Sequence, residues 1–565
     1  MLYIIIALLI SFSLEIRSQE QICRFADLFT IDDLLYNRNN AIHHFKMNIS
    51  LWEGKFGNGV GYNNVTGITY DGHKIDHETG NLHENLQFWT AASKEALHVN
   101  ILTLYLLDDQ YAKMFFNNAP IDHIIDILTK KINSYDDFHR RYPGFGGFLP
   151  WFAANGTNMN LLDAWRDKVP GLDNGQLIWS ILSLIISLNN KNYTNLAKRY
   201  QDRIDLMINT SIPVFYDGNG GIRCVTKIRN MTDESQQFNK SNYFTDGDCY
   251  LDDPYEGELM AYFMDLYAPW IKYNYTIDER EKIWLKKQAK LKRVEYVNEN
   301  ENITVQQGYW FSSHEQWKYF YLPYMDIPIQ RRLFMNGEKA RTMHSNKNHI
   351  PGLYASVAST VPNDTYNVEY LSACGIQSIA SEPVLHMTTI TPYASFPVIL
   401  ADETIGLIWY LNMLHGSSMQ NVYGSTEATN ITGTAISPVI TWDSKVTTVV
   451  AMLSKKLIDE NRQLLIYNGL YERFYTITDR EWKRVFGQTN LNGEHIPLSL
   501  PSVHLSKSNL NDFSQCRLTT NPYSTTLRPD TSTKAGSTSI MLCTLSECYL
   551  SMIIIILFIR QIGYL

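Results

Sequence analysis

The chain has 565 residues, 45% hydrophobic and 19% charged, with a net charge of −8; this length accommodates one large domain or roughly two to four ordinary ones. With no long basic run, it lacks the electrostatic footprint of a nucleic-acid-binding protein. Aromatic residues reach 13%, including 35 Tyr and 12 Trp, which suits a ligand cleft lined with amphipathic rings or a tyrosine-rich secreted surface.

Residues 2–14, LYIIIALLISFSL, form an apolar run too short to span a bilayer comfortably and suited to a signal-peptide core. A positive n-region is missing. Cleavage near Ser18 or Gln19 gives a leader over residues 1–18, with a signal anchor as the alternative. Export is supported independently by N-x-[S/T] sequons at Asn48, Asn64, Asn155, Asn192, Asn209, Asn230, Asn239, Asn274, Asn302, Asn363 and Asn430. Between the two ends there is no convincing linker, so residues 19–516 read as one catalytic-sized domain.

The apolar pattern of that domain is mostly helical. Apolar residues recur at three- and four-residue spacing over residues 86–107, 176–188, 256–267, 396–414 and 445–457. The stretch 177–188, LIWSILSLIISL, is apolar nearly all round, which implies a helix buried on most sides. Many amphipathic helices with few alternating strands suggest nested helix pairs closing into a toroid, although other all-α arrays share this periodicity.

The connections carry the unusual residues. YPGFGGFLPWF, 142–152, cannot be a regular helix; its glycines permit tight turns that set Phe145, Phe148, Trp151 and Phe152 into a cleft or core. VPGLDNGQLIW, 169–179, offers Asp173, Asn174 and Gln176 as helix caps or as ligand contacts. DDPYEGE, 252–258, crowds Asp252, Asp253, Glu256 and Glu258 together. Mutual repulsion or burial against Tyr255 can keep one of them protonated. Pro254 suits a first helical turn, which places the cluster at a helix N-terminus, where the dipole opposes that shift. In residues 309–324, YWFSSHEQWKYFYLPY, aromatic rings surround His314, Glu315 and Lys318. There Ser313 can cap a helix with Gln316 completing the box, and Glu315 can instead bind sugar hydroxyls. GEKARTMHS, 337–345, supplies Arg341 as a polar contact or a structural ion pair. TWDSK, 441–445, places Asp443 beside Trp442. Two distant acidic motifs beside aromatics are what glycosidic cleavage needs: one acid protonates the leaving oxygen, and the other activates water or attacks the sugar.

Seven cysteines are present, two of them in the C-terminal apolar tail. Cys224 with Cys249 closes a polar loop, Cys23 with Cys516 staples the two ends, and Cys374 is left buried and unpaired. No His/Cys cluster has zinc-ligand spacing. Residues 517–539 are a Ser/Thr-rich spacer. The hydrophobic tail, 540–565, has a solid apolar core only over 548–559, bracketed by Glu547 and Arg560. That is short of the about 20 residues a transmembrane helix wants. Small residues at Ala535, Gly536 and Ser537 before it favour a GPI-attachment signal over a short transmembrane helix.

Taken together, YPGFGGFLPWF, VPGLDNGQLIW, DDPYEGEL, WFSSHEQWKY with LPYMDI, NGEKARTMHS, and YGSTEA followed by TWDSK resemble the eukaryotic endo-β-1,2-glucanases of glycoside hydrolase family 162. The blocks cover residues 142–445. The resemblance implies an all-α fold, an (α/α)6 barrel with long aromatic-rich loops. It implies hydrolysis of β-1,2-glucan to sophoro-oligosaccharides with inversion of the anomeric centre, and no metal or organic cofactor. It puts the general acid on Glu258 or Glu256, with Glu258 favoured, and the base on Asp443, with a substrate hydroxyl relaying the proton. Sugar contacts fall to Trp151, Asp173, Asn174, Gln176, His314, Glu315, Lys318, Arg341, Asn421, Ser425 and Trp442. The expected protein is an extracellular monomer that binds β-1,2-glucan and touches a membrane only through its tail. The competing functions are a phosphorylase or transglycosylase on the same barrel and a non-catalytic glucan-binding surface glycoprotein.

Overall fold

A computed structural model describes residues 23–516 apart from 256, 299–300, 362–364, 366, 488–489 and 506–510. The expected leader, spacer and hydrophobic tail, and the candidate acid Glu256, lie outside the described residues. Within them the chain is dominated by helices. Those of ten residues or more are α1 (Ala41–Gly57), α2 (Ala92–Leu106), α3 (Ile121–Arg141), α4 (Gly171–Asn190), α5 (Thr194–Phe215), α6 (Glu258–Tyr267), α7 (Glu279–Lys290), α8 (Pro328–Lys347), α9 (Glu403–Leu414), α10 (Trp442–Tyr467) and α11 (Tyr471–Phe486). Strands are short, and no described sheet exceeds three of them.

Two kinds of helix follow from two kinds of pattern. On α3 the buried residues Ile124, Ile127, Leu128, Lys131, Ile132, Tyr135 and Phe138 form one stripe at three- and four-residue spacing, the mark of a helix with a solvent face. By contrast α2 and α4 are buried almost all round, and α2, α4 and α10 pack on one another at the centre. By length and composition α4 could cross a membrane, but 83% of its most apolar window is buried inside the fold. Its buried hydroxyls are satisfied locally: Ser180 and Ser187 each donate to the carbonyl four residues back, at 3.0 Å, so polar groups enter the core without partners from other helices.

Several boundaries differ from the periodic reading. Residues 86–87 and 89–90 are strand rather than helix. β2 (Leu82–Gln87) pairs with β1 (Gly72–Ile75), and Trp89–Thr90 pairs with Phe152–Ala153; long-range pairing overrides the local pattern. The 396–414 run breaks at Asp402, whose side chain caps α9 by accepting from the Ile405 N–H at 3.0 Å. Helix α4 begins at Gly171, so Asp173 and Asn174 lie in its first turn and not before it. In the 310 helix Ser313–Phe320 the N-cap is Ser312 with Glu315 in the box position, one residue earlier than expected. The cysteines pair as the sequence suggested, Cys23 with Cys516 and Cys224 with Cys249, leaving Cys374 buried and free.

Candidate active site

One wall of the site is built where α10 begins. Thr441 caps that helix, its hydroxyl accepting from the Ser444 N–H at 3.2 Å, which leaves Asp443 in the first turn. Residues Val439–Thr441 form a strand, β3, antiparallel to β1 with Gly72 opposite Thr441. The Trp442 N–H then donates to the Asp71 carbonyl at 3.2 Å, so the two aspartates become neighbours. Only glycine fits at position 72, because a Cβ there would sit 2.2 Å from the Ile440 carbonyl oxygen. From the first turn of α2, Lys94 enters between the aspartates, its Nζ 2.7 Å from Asp443 Oδ2 and 3.7 Å from Asp71 Oδ1. Asp443 is 6% exposed, and its Oδ1 has no partner among the described residues. Burial pushes Asp71 up to about 6, aided by the charge of Asp443 and opposed by Lys94. Burial alone would lower Lys94, but the two aspartates outweigh it and hold the ammonium charged. Behind them Glu427 accepts from the Thr441 hydroxyl at 2.7 Å, and burial pushes it up to about 7.

Burial and the Asp443 charge raise the Tyr370 hydroxyl. The residue is 63% exposed. Ser356 Oγ lies 3.0 Å from His314 Nδ1. Burial, with repulsion from Arg341 and Lys94, pushes His314 down to about 3, which keeps that ring neutral.

Beyond His314 opens a cavity of about 520 Å³, bordered by Asp252, Asp253, Pro254, Tyr255, Trp310 and Glu315 among others. Its volume falls within the few hundred to about 1,000 Å³ of ligand sites. Glu315 is shaped by Phe311, whose left-handed φ of 58° turns two neighbouring amides onto one oxygen. Trp310 N–H and Ser312 N–H donate to Glu315 Oε1 at 2.8 and 3.1 Å, a small backbone nest. Burial still dominates and pushes Glu315 up to about 7. The acidic loop is strapped down at several points. The Cys224–Cys249 disulfide borders the cavity, Lys287 Nζ donates to the Leu251 carbonyl at 3.2 Å, and Lys318 Nζ donates to the Pro254 carbonyl at 2.9 Å and to Glu258 Oε2 at 3.1 Å. Lys318 thus fixes the chain on both sides of residue 256.

The structure redistributes the expected site residues. Glu258, the favoured acid, is fully buried at the start of α6, paired with Lys318 and accepting from the Tyr324 hydroxyl at 2.7 Å. No oxygen of Glu258 is exposed in this arrangement, and its Oε1 has no partner among the described residues. Pro254 precedes the helix rather than opening it. Trp442 is wholly buried, its Nε1 donating to the Gly61 carbonyl at 2.7 Å, so it is no sugar platform. Asn174 is wholly buried and clamps backbone, accepting from the Leu149 N–H and donating to the Leu149 and Pro170 carbonyls. Asn421 and Ser425 are wholly buried in one tight hairpin, joined by a bond from Asn421 Nδ2 to the Ser425 carbonyl at 3.1 Å. Arg341 follows the ion-pair reading, 3.2 Å from Glu338. Gln176 is 1% exposed, with an Nε2 that has no partner among the described residues. Trp151 remains half-exposed, stacked on Trp165 with centroids 5.2 Å apart and bonded to Asp173 at 3.0 Å. Of the aromatics in 142–152, Phe145, Phe148 and Phe152 are core. His314 and Glu315 border the cavity.

Asp71, Lys94, Glu427 and Tyr370 were not singled out in sequence. Nothing local marks residues 71 or 94, because Asp71 meets Asp443 through a strand pairing and Lys94 through an ion pair, each spanning most of the chain. Among the described residues no group of three or more His, Cys, Asp or Glu could hold a metal.

Residues 68–517 match the family described as endo-β-1,2-glucanase SGL of glycoside hydrolase family 162. The endo-β-1,2-glucanase from Talaromyces funiculosus, solved with sophorose, is 37% identical, with a TM-score of 0.83 over 88% of this chain and 100% of that one. A mutant of that enzyme, solved with β-1,2-glucan, matches equally. The endo-β-1,2-glucanase from Chitinophaga pinensis, at 12% identity and a TM-score of 0.52 over 75% of this chain and 98% of that one, shares the fold alone. No curated protein sequence matches significantly. By its family match and its likeness to the Talaromyces enzyme, this chain belongs to the endo-β-1,2-glucanase family of glycoside hydrolases.

Proposed function

We propose that the enzyme cleaves β-1,2-glucan internally, releases sophoro-oligosaccharides and inverts the anomeric centre. The observation that carries this reading is Asp443, a carboxylate pinned through one oxygen by Lys94 with its other oxygen unpartnered among the described residues. Asp443 takes the proton of the attacking water, directly or through a substrate hydroxyl. A relayed transfer allows the carboxylates to stand further apart than the roughly 6.5–9.5 Å usual for inverting enzymes. With Glu258 sealed, Glu256 is the acid that protonates the departing oxygen. The similar Talaromyces enzyme binds sophorose and, as a mutant, β-1,2-glucan, which supports that substrate here.

The helices close as an (α/α)6 barrel in this reading, supported by the central packing of α2, α4 and α10. Digesting β-1,2-glucan and following early products by proton NMR tests the function. The α-anomer of short sophoro-oligosaccharides is expected first, at a rate independent of phosphate; the β-anomer first, or a need for phosphate, overturns it. We place the enzyme at the outer cell face, held by a GPI anchor attached near residues 535–537. Phosphatidylinositol-specific phospholipase C then releases active enzyme from expressing cells. Retention of protein that still reacts with an antibody to residues 561–565 establishes a spanning helix instead.

A further inference from the structure

We infer that Lys94 and Asp71 are positioning residues for the Asp443 carboxylate, fixing which of its oxygens faces the attacking water. The inference rests on the assignment of Asp443 as base. A carboxylate in a helical first turn can rotate about its last torsion and present either oxygen. Here Lys94 Nζ, 2.7 Å away, captures Oδ2 in a charge-assisted bond, and Oδ1 alone is left without a partner among the described residues. The choice of oxygen is therefore made by an ammonium that arrives from another helix.

Asp71 explains why that ammonium stays in place through a catalytic cycle. Its backbone is held on both sides, its N–H donating to the Trp89 carbonyl at 2.6 Å and its carbonyl accepting from the Trp442 N–H. Its carboxylate stands 3.7 Å from Lys94 Nζ, on a side chain 20% exposed. When Asp443 takes a proton from water it becomes neutral, and its attraction for Lys94 weakens. Asp71 still carries the charge needed to hold Lys94 where it was. The other titratable groups felt by Asp443 are Glu427, Tyr370 and Tyr393; none of them donates to it, so Lys94 is the only group among the described residues that pins it.

The test compares Lys94→Met, Asp71→Asn and Asp443→Asn in the full enzyme, measuring kcat, KM and the thermal unfolding transition on β-1,2-glucan. Lys94→Met is expected to lower kcat by about 10²-fold with KM changed by less than about threefold, the pattern of an interaction lost only in the transition state. Adding Lys94→Met to Asp443→Asn should then cause no further loss, because two residues acting as a unit are not additive. Asp71→Asn should lower kcat by about tenfold at unchanged KM, and it carries the test alone if Lys94→Met does not fold. An unchanged kcat in either single variant, or a further loss in the double variant, overturns the inference. Full activity in Asp443→Asn removes the base assignment itself, a failure distinguishable from a normal Lys94→Met beside an inactive Asp443→Asn.

Discussion

Asp443→Asn is expected to abolish hydrolysis of β-1,2-glucan while the protein still folds and binds the polymer. The amide is nearly isosteric with the carboxylate but does not accept the proton of the attacking water. Loss of a general base lowers the rate by roughly 10²–10⁴-fold. The first turn of α10 tolerates the exchange, since Thr441 and not Asp443 provides the cap. The exchange also leaves Lys94 its ion pair with Asp71, so no buried charge is stranded. Residual activity above about one per cent of the parent, measured as reducing ends released per unit time, would remove Asp443 from the role.

A second pair of substitutions separates function from architecture two residues apart. Glu256→Gln is expected to lose most activity on β-1,2-glucan with its stability unchanged. On an aryl glycoside with an activated leaving group, the loss should be much smaller, because that group departs without protonation. Glu258→Gln is expected to do the reverse to the fold. It leaves the buried Lys318 ammonium facing a neutral amide, in a site where both side chains are at most 2% exposed. Breaking a buried pair from one side costs about 3–5 kcal/mol, which a denaturant titration reads as an earlier unfolding midpoint. If Glu258→Gln is stable and inactive while Glu256→Gln is active, the assignment is reversed.

The contrast between these glutamates shows what the sequence conveys and what it withholds. DDPYEGE announces acids, and TWDSK announces a capped helix start with an acid in its first turn; both readings concern a few adjacent residues. Which way a side chain points depends on position along the helix. Successive helical residues point about 100° apart, as 3.6 residues per turn requires, so Trp442 enters the core while its neighbour Asp443 meets Lys94. The first turn of α4 likewise turned the side chain of Asn174 onto backbone, and a tight hairpin did the same to Asn421. The long helices were legible because their apolar stripes are local. The strand at 82–87 was not, because its partner at 72–75 and the further partner at 439–441 decide it. Asp71 and Lys94 were hidden for the same reason. The disulfides were legible because few pairings keep one cysteine in an apolar setting.

The Cys23–Cys516 bond, with Cα atoms 5.2 Å apart, turns almost the whole described chain into one covalent ring. Mechanically, a pull on the segment after Cys516 passes straight to Cys23 and to the segment before it. The helices between them lie off the line of force. A pull carried across that bond therefore bypasses the helices inside the ring. A single cut in any surface loop opens that ring without releasing a fragment, so a nicked enzyme keeps both halves tethered.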